Sequence, residues 1–234
     1  METGFATFLR PLDGSAPVRV ADGIASSLSP DGRFVTAAEP NGLRIIPTGP
    51  GTARTLPLGF EPASDVLWGP SGDRLVLAAA AEGGRVRLKQ VVLADGRVQS
   101  TSEAFLPDAL GGRWLSPVSP DGRLVAVRSM DARVLLVPLD GSAPRTVAAS
   151  EVNDTPVQWT EDSRSIFVFR PGETPVRIIR LGVDGSRRTP WKQVHLPDTS
   201  ATGIGTLHLS RDGRVGVYGS VVQVTDLYLV RGLR

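Results

Sequence analysis

The sequence contains no cysteine, only 2 histidines, and no apolar run approaching the ~18 residues that a membrane-crossing helix needs. Without cysteine there are no disulfides, thiolate nucleophiles or Cys-ligated metals, and this leaves both cytoplasm and periplasm open as compartments. His195 and His208 lack His-x-x-x-His spacing and a Glu-rich partner pattern, so neither has the setting of a zinc ligand. No Gly-x-Ser-x-Gly elbow, His-Arg-Asp or Asp-Phe-Gly occurs, which excludes a serine-hydrolase or protein-kinase catalytic core from this chain. Helical periodicity of useful length is also missing. The formal charge is +2, from 26 basic and 24 acidic residues scattered along the sequence. That pattern gives no basic face for nucleic acid.

What is present is a repeat. Ser29-Pro30-Asp31-Gly32-Arg33 recurs as Ser119-Pro120-Asp121-Gly122-Arg123, and degenerate copies begin at Gly69, Thr160 and Ser210, giving steps of 40, 50, 41 and 50 residues. Periods of this size belong to propeller blades. Proline at the second position presets φ for a type I turn, aspartate bonds its own backbone, and glycine accepts the positive φ that closes a hairpin. Apolar alternation precedes each copy (Val66 and Trp68; Val157 and Trp159; Leu207 and Leu209), and apolar runs such as Leu124 to Val127 follow it.

A second turn lies 21 to 26 residues downstream, where Leu139 to Pro144 repeats Leu12 to Pro17 letter for letter and Asp95-Gly96 and Asp184-Gly185 are variants. Each unit therefore reads as four antiparallel strands with both tight turns at one end. Small residues in the second strands (Ala37, Ala38, Ala126, Gly216) suit the narrowing space near a shared axis. The expected fold is an all-β propeller in one domain: a half blade over 1–22 and blades over 23–58, 59–100, 113–149, 153–190 and 204–234.

The Ser-Pro-Asp-Gly-Arg hairpins, the Leu-Asp-Gly-Ser turns and the closing Thr225 to Val230 resemble TolB-type, WD-repeat-like bacterial β-propellers over nearly the whole chain. The ending is also similar to the C-terminal ends of bacterial serine/threonine kinases that carry such a propeller. The resemblance implies a noncatalytic binding or sensing module without a cofactor, engaging a protein or small ligand, within a larger signalling protein. The alternatives are the substrate-gating propeller of a prolyl-oligopeptidase-like peptidase, a TolB-like periplasmic scaffold, and an enzyme using channel carboxylates with a metal. The half blade and the unfinished last repeat lead us to expect the C-terminal part of a longer polypeptide. Met1 to Phe5 lacks a secretory leader pattern, so the expected compartment is cytoplasmic for a complete chain and extracytoplasmic for the sensor of a membrane-bound kinase.

Candidate sites fall in two places. Two long interblade segments, 100–113 and 190–205, bring Phe105, Arg113, Trp114, Trp191, Lys192 and His195 forward as a ligand or partner rim. The competing reading is that the tryptophans cover blade edges and the charges are solvated. Asp22, Asp65 and Asp154 precede hairpins by a few residues and are expected near the channel mouth. Carboxylates there suit a hard cation, although acids at loop ends equally cap turns.

Overall fold

A computed structural model describes residues 5–39, 42–60, 62–81, 85–100, 106–107, 115–196 and 201–222. Among them every regular element is a strand, and none is a helix. The half blade is the antiparallel pair β1 (Ala6–Leu9) and β2 (Val18–Asp22). Blade one is β3 (Ser27–Leu28), β4 (Phe34–Glu39), β5 (Gly42–Pro47) and β6 (Arg54–Pro57), hydrogen-bonded in chain order. Blade two is β7 (Pro62–Trp68), β8 (Arg74–Ala81), β9 (Arg85–Val92) and β10 (Val98–Ser100). The two-residue β11 (Leu106–Pro107) pairs further along the free edge of β9, so part of the first long interblade segment extends blade two.

Blade three is β12 (Leu115–Val118), β13 (Leu124–Arg128), β14 (Val134–Pro138) and β15 (Arg145–Thr146). Blade four is β16 (Thr155–Trp159), β17 (Ser165–Phe169), β18 (Val176–Gly182) and β19 (Arg188–Val194). Blade five is described through β20 (Ala201–Leu209) and β21 (Gly216–Val222). The third strand expected at Asp226 to Val230 lies outside the described residues. The chain is thus all-β, with five blades and a partial one.

The two-residue period of a strand explains why these sequences make blades. In β17, Ile166 and Val168 point into the core shared with blade three, whereas Phe167 and Phe169 point into the core shared with blade five. In β13, Val125 and Val127 face blade two, and Ala126 faces blade four. A strand buried on both faces reads as a continuous apolar run, and the inner strands do. Five apolar cores result, one per seam between neighbouring blades. Full burial of each Leu, Ile or Val contributes roughly 1.5–3 kcal/mol.

The repeated turns have the expected chemistry. In the first, Ser29 Oγ donates to Asp31 Oδ1 at 2.6 Å, Phe34 N donates to Ser29 Oγ at 2.9 Å, and Gly32 has φ 72°. The third copy repeats this with Ser119 on Asp121 and Gly122 at φ 75°. Where the fourth copy has Ser163 in place of glycine, that residue still adopts φ 58°.

The second long segment differs from the sequence expectation. Residues 188–194 are the full fourth strand of blade four, pairing from Arg188 opposite Leu181 to Val194 opposite Val176. Trp191 and Lys192 are therefore strand residues and not loop residues. Pro190 is tolerated there because an outer strand need not donate along its free edge.

Candidate functional site

The tight turns of blades one to four touch in succession, so they form one continuous face. A Cβ built on Gly72 would lie 4.0 Å from Pro30 Cδ, one on Gly122 would lie 3.7 Å from Pro70 Cγ, and Asp121 N donates to Ser163 Oγ at 3.1 Å. Each turn thus leans on the turn before it. The carboxylates of Asp31, Asp162 and Asp212 are held below the ordinary aspartate range, chiefly by the hydroxyls of Ser29, Thr160 and Ser210 and next by the backbone N–H two residues on. This face is densely hydrogen-bonded.

The seams beneath it are closed unequally. Between the half blade and blade one, Ala25 N donates to Thr7 Oγ1 at 3.0 Å. Between blades two and three, Gln90 Nε2 donates to the Leu139 carbonyl at 2.8 Å. Between blades three and four, Arg145 Nη1 donates to the Val183 carbonyl at 2.7 Å, and Trp159 Nε1 donates to Pro117 O at 2.8 Å and to Ser116 Oγ at 3.0 Å. Between blades four and five, Gln158 Nε2 reaches Leu209 O at 3.1 Å and Lys192 Nζ reaches Gly213 O at 3.3 Å.

Among the described residues, no side-chain hydrogen bond crosses the seam between blades one and two. Apolar packing holds it, with Ile45 and Phe34 against Trp68 and Leu75. The residues that would close it are present at equivalent positions. Arg54 stands opposite Ile45 as Arg145 stands opposite Leu136, yet it makes no hydrogen bond or ion pair with a described residue. Trp68 precedes its turn as Trp159 does, yet its buried Nε1 has no partner. Gly72 occupies the place of Ser163 and has no hydroxyl to offer the turn before it.

The consequence is a cavity of about 690 Å³ opening on the turn face. Phe34, Ile45, Trp68, Pro70 and Leu93 supply apolar surface, and Arg54 lines it as well. Arg211, from the turn of blade five, lines the same space and makes no hydrogen bond or ion pair with a described residue. Asp31 also lines it, but its Oδ1 already accepts from Ser29 Oγ and Arg33 N. A second hollow of about 420 Å³ lies on blade four between its two tight turns, walled by charged groups including Asp162, Arg180 and Asp184.

The residues singled out from sequence are dispersed. Phe105, Arg113 and Trp114 lie outside the described residues, as does the side chain of Asp65, whose backbone is in β7. Trp191 is half-buried, its ring tilted on Phe167 with centroids 4.2 Å apart and its far edge against Gly213 of the next blade. Lys192 lies over the Trp191 ring at 4.4 Å. His195 is exposed and shares a hydrogen bond with the nearby Gln193 at 3.2 Å. Asp22 is exposed at the end of β2 and pairs with Arg19.

Asp154 is 1% exposed and saturated: Arg170 Nε at 3.2 Å, Arg188 Nη2 at 3.1 Å and Glu151 N at 2.7 Å all donate to it. Glu151 pairs with the same two guanidiniums. Among the described residues no group of three or more acidic or histidine side chains is arranged to hold a metal. Sequence reasoning missed Arg54, Trp68 and Arg211. The available signal was the alignment of one repeat on another, in which Trp68 matches Trp159 and Gly72 replaces Ser163.

No protein-family model matches the chain. Tricorn protease homolog 1 of Streptomyces coelicolor is 30% identical over 201 residues, which cover 82% of this chain and 18% of that protein. The chain therefore spans under a fifth of the length of this curated relative. Among solved structures, a putative TolB from Agrobacterium tumefaciens matches with a TM-score of 0.66 at 19% identity, over 90% of this chain and 76% of that one. The tricorn protease matches with a TM-score of 0.57 at 14% identity, over 92% of this chain and 22% of that one. At such identities the structural likeness establishes the fold, a TolB-like β-propeller.

Proposed function

We propose that the chain is a noncatalytic binding and sensing module of a larger protein, engaging a protein or small ligand on its turn face. The observation that carries this reading is the unclosed seam between blades one and two, where a cavity lined by residues with unpaired donors opens on a densely hydrogen-bonded surface. Propellers use such faces because a stiff scaffold presents a site at little ordering cost. The absence of chemistry is supported by how the carboxylates are used: Asp31, Asp162 and Asp212 brace their own turns, and Asp154 is neutralised by two arginines.

For the rest of the protein we favour a serine/threonine kinase, on the similarity of the Thr225 to Val230 ending to kinase-linked propellers. A second reading, the substrate-gating propeller of a peptidase, is favoured by the identity shared with the tricorn protease homolog. Kinase motifs upstream in the coding sequence would select the first, and protease motifs beside the propeller would select the second.

The test of the module itself is turnover. The purified 234-residue chain, incubated with peptide pools and separately with ATP and protein substrates, is expected to release no product. Product formation abolished by a single substitution in this chain would overturn the reading.

A further inference from the structure

Among the described residues, three hydrogen-bond donors without a partner belong to residues that line one cavity: the guanidiniums of Arg54 and Arg211 and the indole N–H of Trp68. We propose that the seam between blades one and two is a binding site for a small organic acid, with one carboxylate held by Arg54 and Arg211 and an apolar body lying along Trp68, Phe34 and Leu93. This rests on the binding-module reading above and names the ligand class that the site takes.

The repeat itself makes the case. At the seam between blades three and four, the same two positions are occupied by Arg145 and Trp159, and both donors are consumed by backbone carbonyls of the neighbouring blade. A turn-to-turn bond through Ser163 seals that seam further. At the first seam an arginine and a tryptophan stand in the same register, but Gly72 removes the sealing hydroxyl, and both residues line a cavity of about 690 Å³. That volume is in the range of roughly 300–1,000 Å³ that holds small molecules.

The chemistry of the lining selects the ligand. A carboxylate matches the guanidinium fork in shape and charge. Inorganic phosphate would leave the partly exposed Phe34, Pro70 and Leu93 uncovered, whereas an aromatic or branched body covers them. The lining carboxylate, Asp31, stays ionised with its Oδ1 held by Ser29 and Arg33, but Arg54 and Arg211 outnumber it, so the lining keeps a net positive charge toward an anionic ligand.

The experiment uses 3-phenylpropionate as probe, titrated into the intact chain by calorimetry, with 3-phenylpropionamide and inorganic phosphate as comparison ligands. The acid is expected to bind at least about tenfold more tightly than either, since loss of a charged hydrogen bond or of the apolar contact costs about a decade of affinity. Arg54→Gln and Arg211→Gln are each expected to weaken the acid by about tenfold, and Trp68→Phe by a few-fold. Arg145→Gln, at the equivalent position of the closed seam, is expected to leave the affinity unchanged. Equal affinity for acid and amide, equal affinity for phosphate, no binding of the acid, or indifference to Arg54 and Arg211 would each overturn the proposal. Those outcomes with no turnover by the chain would leave the binding-module reading standing; turnover would remove that reading instead.

Discussion

Trp159 donates its indole N–H to the carbonyl of Pro117 at 2.8 Å, tying the inner strand of blade four to that of blade three. Trp68 stands at the same repeat position with its N–H buried and unpartnered. Substitution by phenylalanine keeps most of the ring and removes the donor. Trp159→Phe is expected to cost about 1–2 kcal/mol for the lost bond, on top of a small packing loss common to both sites. Trp68→Phe is expected to show the packing loss alone, because deleting an unsatisfied polar group carries no hydrogen-bond penalty. Chemical denaturation of the two variants checks this, and equal losses would contradict it.

Gly72 and Gly122 both close turns at positive φ, 73° and 75°, with no clash awaiting a Cβ. The cost of alanine at either is therefore conformational, about 1 kcal/mol. Serine at position 72 carries the same conformational cost and restores the hydroxyl that Ser163 supplies to the turn before it. Gly72→Ser is expected to melt above Gly72→Ala; a lower melting temperature would show that the first seam cannot be sealed in this way.

Asp154 sits in the linker between blades three and four with Arg170 and Arg188 around it, the latter 20% exposed. Removing the carboxylate leaves Glu151 as the remaining acid for both guanidiniums and takes the acceptor from Glu151 N–H. Asp154→Ala is expected to cost roughly 2 kcal/mol, the loss of charged hydrogen bonds in a partly dry seam with the arginines still paired. Asp22→Ala, which breaks an exposed pair with Arg19, is expected to be near neutral. Similar losses for the two would place Asp154 outside the stabilising role assigned to it.

The turn aspartates set the response to acid. Asp31, Asp162 and Asp212 have folded-state pKa values below the ordinary 3.8, so the unfolded chain takes up protons first as pH falls. Their contribution is fully present above the ordinary value and is lost as pH drops through the lower folded values. Urea midpoints are expected to hold steady from neutral pH down to about 5 and to fall below about 4. A decline already under way near pH 6 would point to other groups.

The period, the hairpins and the blade strands were legible because each is written in contiguous residues: Ser-Pro-Asp-Gly fixes a turn, and Ile166 to Phe169 fixes a strand facing two cores. Trp191 and Lys192 were misplaced in a loop because Thr189, Pro190, Lys192 and Gln193 give an outer strand little apolar alternation. Their pairing depends on β18 and on the Phe167 ring beneath them. Of the candidate site only the exchange of Ser163 for Gly72 was legible, by laying one repeat on another. The site is defined by bonds that fail to form between residues about forty positions apart, and Trp68 reads in sequence as another Trp159.

The indole region of a ¹H–¹⁵N correlation spectrum tests the unclosed first seam most directly, with the Trp68 and Trp159 signals assigned from the phenylalanine variants. On addition of 3-phenylpropionate, the Trp68 signal is expected to shift while that of Trp159 stays in place, slow to exchange with solvent. Movement of Trp159 with Trp68 stationary, or no movement of either at saturating acid, would contradict the account.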